Sequence, residues 1–234
     1  MHLNTVIIIQ ARMGSTRLPG KVLKKINNYP ILYYLLCRVQ LSSIKNIFVA
    51  TSKNIENDKI VEYVKKYFRE IKIFRGSEKN VFSRYHKIAN EFNFTTIVRV
   101  TADCPLIDFR IINKMIKIFA NNKNLDYLSN TTPHDTRSYP DGMDVEVFSL
   151  NAINKANKLK LSNYDKEHVT TCFLNQNYNF KSRRIEYKSN LQKYKLSVDS
   201  QSDFNLISKI IKNVVIKNMK ASMNDIIKFL KIIN

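Results

Sequence analysis

The stretch from residue 5 to residue 21, TVIIIQARMGSTRLPGK, limits this chain more than any other. It opens on four consecutive β-branched apolar residues, Val6, Ile7, Ile8 and Ile9. With no polar residue turned to water on either side, such a run fits a strand covered on both faces of a parallel sheet. Gln10 and Ala11 lead into a loop carrying Arg12, Met13, Gly14, Ser15, Thr16, Arg17, Pro19, Gly20 and Lys21. Gly14 and Gly20 are two of only four glycines in the protein, so half of its most permissive backbone lies in one turn. Arg12, Arg17 and Lys21 stand five and four residues apart, beside the hydroxyls of Ser15 and Thr16. Cations, hydroxyls and converging N–H groups at a strand exit describe a pocket for a polyanion, most simply a triphosphate.

Two common phosphate loops are excluded by spacing. A Walker loop needs Ser or Thr after G-x-x-x-x-G-K, and Val22 follows Lys21; a dinucleotide fingerprint needs three glycines in G-x-G-x-x-G, and two occur.

At 234 residues the chain can bury a full core as one domain, residues 1–234. No apolar run reaches the roughly 18 residues of a membrane span, and no secretory signal is visible. Cys37, Cys104 and Cys172 are odd in number and scattered, which fits buried thiols in a reducing, cytoplasmic setting. The formal charge of +20 is mostly Lys spread among Asn and Ile along the whole chain. That dispersal is compositional, and neither a nucleic-acid nor a membrane partner is expected from it.

Apolar periodicity and breakers predict helix 31–41, strand 46–51, helix 57–68, strand 71–74, helix 81–92, strand 96–101 and helix 109–120 behind an Asp108 cap. The alternation argues for βαβ units, with ligands beyond the carboxyl ends of the strands. From residue 126 the rhythm changes. Strand 127–130 precedes a polar stretch, 131–141, that offers His134 and Arg137 as anchors, although Arg137, like Lys53, reads more simply as a surface charge. Strand 143–148, helices 150–161 and 165–175, strands 180–186 and 194–198, and helices 202–216 and 223–232 complete the chain. The fold class is α/β, a mainly parallel, Rossmann-like sheet in three layers, with 126–190 as a small inserted β-arm or lobe.

Asp103, in VRVTADCPLID, ends the strand 96–101 on the side of the first loop, where a nucleotide enzyme holds Mg²⁺; a strand-end turn or cap would also use such a carboxylate. Asp141, Asp144 and Glu146 fall in PDGMDVEV, where alternation puts Asp144 and Glu146 on one face. Three acids so close together in a basic chain point to a ligand. His168 follows in EHVT, either bonded to a carboxylate or touching substrate. Arg99, inside an apolar strand, needs an anion or acid partner.

The run QARMGSTRLPGKVL resembles, almost letter for letter, the signature loop of the spore-coat polysaccharide branch of the sugar-activating cytidylyltransferases. TADCPLI is similar to that superfamily's strand-D-x-P-L-I motif, with Thr101-Ala102 in place of Gln-Gly, and PDGMDVEVF and KEHVT are similar to two motifs of the branch. YKLSVDSQSDF resembles the strand that delivers a second metal-binding aspartate, here Asp199, while Asp203 caps the helix that follows.

The resemblance implies a nucleotide-diphospho-sugar transferase-like fold and CMP transfer from CTP to an acidic or unusual sugar for surface polysaccharide. It implies Mg²⁺ on Asp103 and Asp199, and a homodimer formed through the 126–190 lobe. Arg12, Arg17 and Lys21 are then the catalytic charges. Gln10, Ala11, Met13, Gly14, Ser15, Thr16, Thr101 and Ala102 join them and Asp103 around the nucleotide, with Arg75 and the Ser83–Tyr85 segment at the base. Arg99, Asp141, Asp144, Glu146 and His168 surround the acceptor. A sugar-1-phosphate nucleotidyltransferase would carry more glycine in its loop. A non-catalytic polyanion-binding module would cluster its cations among exposed aromatics.

Overall fold

The computed structural model describes residues 4–131 and 137–233. The opening apolar run forms β1 (Thr5–Gln10), paired in parallel with β4 (Ile47–Ser52) on one side and β6 (Thr96–Thr101) on the other. A two-strand ribbon, β2 (Lys25–Ile26) and β3 (Tyr29–Pro30), follows the first loop; the Tyr29-Pro30 breaker is its second strand. Beyond β4 lies β5 (Lys72–Gly76), also parallel. The opposite edge is built by β7 (Tyr127–Ser129), β8 (Glu146–Ser149) and β9 (Ser182–Arg184), giving the order β5-β4-β1-β6-β8-β7-β9. Only β8 runs against the others, antiparallel to both β6 and β7.

Helices cover both faces. Ile7 and Ile9 of β1 turn toward α1 (Ile31–Gln40), α2 (Asp58–Tyr67), α4 (Phe109–Ala120), α7 (Gln201–Ile210) and α8 (Met223–Ile233). Val6 and Ile8 turn toward α3 (Val81–Glu91) and α5 (Leu150–Asn157). The three-layer, mainly parallel α/β architecture is therefore as the sequence implies. Burying both faces of β1 is what demands its unbroken apolar run. Asp108 caps α4 by accepting from the Arg110 N–H, and its other oxygen accepts from the Met223 N–H at the start of α8.

The 126–190 segment adds its strands to the edge of the central sheet. Its regular elements are shorter than the periodicity suggests: α5 ends at Asn157, α6 spans Asn163–His168, and Thr171–Leu174 is a 3₁₀ turn. Residues 143–145 precede β8 without joining its ladder, because the Asn130 side chain pairs with the Met143 carbonyl and the Val145 N–H instead. Residues 194–198 are also not a ladder strand; a single bridge joins Asp141 to Lys195. The Val198 N–H donates to the Asp103 carbonyl at 2.8 Å. That bond brings two aspartates from distant parts of the chain together.

A buried cation ties α1 to the segments that precede α4 and α8. Arg38 of α1 is fully buried, and its guanidinium donates to the carbonyls of Leu106, Ile107, Met219 and Ala221. Burial lowers its pKa to about 10, and Asp108 opposes that. Four carbonyls take the place of water around the charge, which makes it tolerable in the interior.

Candidate active site

The first loop is closed by its own backbone. The Gly20 N–H bonds the Met13 carbonyl at 3.0 Å, and Gly20 sits at φ 66°, where a side chain would be strained. The Met13 N–H donates to Asn57 Oδ1 at 2.8 Å, anchoring the loop to the start of α2. Met13 and Gly14 thus shape the loop, while Arg12, Ser15, Thr16, Arg17 and Lys21 line a cavity of about 340 Å³ above the sheet's carboxyl edge. Gln10, Ala11, Thr101, Ala102, Asp103 and Asp199 complete its floor.

Lys21 lies at the centre of this charge cluster. Its ammonium donates to Asp103 Oδ2 at 2.8 Å, Asp199 Oδ1 at 3.0 Å and the Val198 carbonyl at 2.7 Å. Burial alone would lower its pKa, but the two carboxylates, Asp103 foremost, hold it above the ordinary value. Burial likewise works to raise the pKa of Asp103, and Lys21 overturns it and holds the carboxyl low. Arg17 reaches Asp199 Oδ1 at 3.0 Å, and Lys195 lies 3.3 Å from Oδ2. Asp203 caps α7 through a capping box with Ser200, and hydrogen bonds from Lys195 and Ser200 outweigh burial and take its pKa down to about 2.

A second cavity, about 370 Å³, adjoins the first and shares Arg99, Thr101, Asp103, His168 and Asp199 with it. Asp141, Asp144 and Glu146 line its far side. Asp141 accepts from the Ser197 hydroxyl at 2.8 Å and pairs with Arg137 at 3.5 Å. Gly142 follows at φ 90°, where an added Cβ would meet the Leu196 carbonyl carbon at 2.4 Å; only glycine lets these strands of chain touch. Burial pushes the Asp144 carboxyl up to about 6.

Glu146 is engaged otherwise. It pairs with Arg99 and accepts from the hydroxyls of Tyr127 at 2.5 Å and Thr170 at 2.6 Å. Burial works to raise its pKa, and Arg99 holds it below the usual range. Arg99 also donates to Gln10 Oε1 at 3.2 Å. The acid partner that Arg99 requires is thus Glu146, and the two neutralise each other.

His168 closes α6 at the junction of the cavities, its ring 4.2 Å from that of Tyr164. The next residue, Val169, is buried yet has φ 67° and ψ −55°, and the Thr170 N–H bonds the His168 carbonyl at 2.7 Å. A β-branched residue in this γ-turn carries strain of about 1–3 kcal/mol, the kind that packing sustains at functional sites.

The cytidylyltransferase family profile matches residues 6–229. The chain belongs to the cytidylyltransferase family. It is 32% identical to the spore coat polysaccharide biosynthesis protein SpsF of Bacillus subtilis over 213 residues, 86% of this chain and 84% of that one. A cytidylyltransferase structure from Leptospira borgpetersenii superposes with a TM-score of 0.91 at 32% identity, covering 98% of this chain and 94% of that one. A CMP:2-keto-3-deoxy-manno-octonic acid synthetase solved with CTP shares the fold, with a TM-score of 0.67 at 16% identity over 89% of this chain and 98% of that one.

Several expected residues of this cytidylyltransferase lie elsewhere. Arg75 does not line the first cavity: it pairs with Asp58 at 2.6 Å and donates to the carbonyls of Ser52 and Asn54. Ser83 is not there either; its hydroxyl donates to the Asn80 carbonyl inside the first turn of α3. Their neighbour Arg84 lines the cavity, buried and bonded to the carbonyls of Ala50, Ser77 and Glu78. Glu167, read from the sequence only as part of the EHVT motif, pairs with Arg12 at 3.3 Å and lines it too. Arg137 is a largely buried partner of Asp141 and not a surface charge. His134 lies outside the described residues. Among the described residues no helix is long and apolar enough to cross a membrane.

Proposed function

We propose that this cytidylyltransferase transfers CMP from CTP to a sugar-type acceptor, acidic or otherwise unusual, and releases pyrophosphate. The observation that carries the reading is the wall common to the two cavities, which holds Asp103 and Asp199 between the cationic loop and the acid-lined pocket. A triphosphate in the first cavity would meet Arg12, Arg17 and Lys21. An acceptor in the second would reach the α-phosphorus from across that wall, so that its oxygen forms the new O–P bond as pyrophosphate departs. Holding both partners in register and neutralising the departing charge are the protein's main contributions.

Asp103 and Asp199 would hold Mg²⁺. They supply hard oxygen donors within 3.0 Å of one ammonium nitrogen, and Mg²⁺ takes one or two carboxylates plus phosphate and water. When bound, the ion polarises phosphate oxygens and acidifies the attacking hydroxyl.

Pyrophosphate release measured with each of the four NTPs, Mg²⁺ and a panel of acidic sugars tests the reading: turnover confined to CTP is expected, and none with any nucleotide refutes it. Lys21→Ala should cost about 3 kcal/mol of barrier in the same assay. The family likeness also implies a homodimer through residues 126–190, which light scattering checks.

A further inference from the structure

The three N–H bonds of the Lys21 ammonium are all directed at acceptors of the carboxylate pair and its backbone. Its side chain is only 12% exposed, and those of Asp103 and Asp199 are 28% and 20% exposed. The nitrogen sits between Asp103 Oδ2 and Asp199 Oδ1, 2.8 and 3.0 Å from each. A Mg²⁺ ion bound to the same two oxygens would lie at about 2.1 Å from them, in the same volume. The ammonium and the ion therefore exclude one another. A lysine that leaves must also find another anion, since a buried ammonium without acceptors is costly. The cavity beside it is lined by Arg12, Arg17 and Thr16, groups suited to a polyphosphate.

We propose that Lys21 is a built-in cation that closes the aspartate pair to divalent metal in the free protein and yields it only when nucleotide phosphates take over its ammonium. This rests on the reading of the first cavity as a triphosphate site. Metal then binds with the nucleotide or after it, and Lys21 has two stations: the carboxylates in the free protein and the phosphates in the complex. Charge stays matched at each stage, because the ion replaces the ammonium on the aspartates as the ammonium moves to the phosphates. Arg17, bonded to the same Asp199 oxygen, reinforces the closed state from the solvent side.

Free Mn²⁺ followed by electron paramagnetic resonance tests this without turnover. Wild-type protein alone should bind Mn²⁺ weakly, and α,β-methylene-CTP should tighten it roughly tenfold or more. Lys21→Met should bind Mn²⁺ tightly without nucleotide, and Lys21→Met/Asp199→Asn should lose that gain. Lys21→Gln, a polar neutral replacement, serves if the methionine variant does not fold. Wild-type protein that binds Mn²⁺ alone as tightly as Lys21→Met, through a site lost in Asp199→Asn, overturns the gate and leaves the metal assignment standing. A gain in Lys21→Met with no response of wild type to any nucleotide analogue upholds the closed aspartate pair and overturns the triphosphate reading.

Discussion

Replacing Glu146 by glutamine removes a charge and almost no volume, and the surroundings leave that loss nowhere to go. The carboxylate is 3% exposed, paired with Arg99, and accepts hydroxyl hydrogen bonds from Tyr127 and Thr170. The variant leaves the Arg99 guanidinium buried without its counter-charge and turns an amide N–H₂ toward donors. Breaking one side of a buried pair costs about 3–5 kcal/mol. Near the middle of that range, a chain of this size loses roughly 10 °C in Tm. The pH dependence identifies the cause. The folded pKa of Glu146 lies below its unfolded value of about 4.3, so the stability it contributes is present above that value and lost as pH falls through the folded one. Urea unfolding should show the full gap between wild type and variant at pH 7, narrowing below about pH 4. Arg99→Met added to the variant should recover part of the loss, because neither charge is then stranded. An equal midpoint at pH 7, or a gap that does not change with pH, would refute the reasoning.

Gly142→Ala should cost about 2 kcal/mol or more in urea unfolding, since φ 90° disfavours a side chain and the Leu196 backbone blocks its Cβ; an acceptor KM raised with the CTP KM unchanged would place the damage in the second cavity. Arg38→Met strands four carbonyls and should lower stability by about 3 kcal/mol, with faster amide exchange around residues 219–223. Asp203→Ala removes the N3 half of the α7 capping box, with Ser200 left as the N-cap, and should cost about 1 kcal/mol at neutral pH. Because the folded pKa of Asp203 is about 2, that cost should persist through pH 4 and fade only as pH falls toward that value.

The parallel half of the sheet is written plainly in the chain. VIII leaves no polar face, and the paired glycines and cations after it have no use in a purely structural turn. The meeting of Asp103 and Asp199 follows from motif likeness, and the Val198-to-Asp103 hydrogen bond supplies its physical cause. The residues expected around the base were less legible. Arg75 lies near the end of β5 and Arg84 in α3 beyond it, and which guanidinium reaches the cavity depends on Asp58, 17 positions before Arg75, capturing the first. Alternation set Asp144 and Glu146 on one strand face; the strand begins only at Glu146, because Asn130 takes the Met143 carbonyl and the Val145 N–H, yet both carboxylates line the second cavity. Arg38 did leave a signal: one guanidinium in ILYYLLCRVQL, a helix apolar on all sides, has to be buried and has to find acceptors.

The reversed direction of β8 settles which rim of the sheet its leading segment reaches. Glu146, at its beginning, lies opposite Arg99, near the end of β6, so the residues just before it arrive on the rim where the phosphate-side loop also emerges. A strand laid the other way would have carried residues 141–144 to the far rim, and the halves of the site would have faced away from each other. One inverted strand thus lets two separately encoded pockets open toward a single point, and the wall of the second pocket could be rebuilt by changing the connection before β8 with the strands beneath the first left as they are.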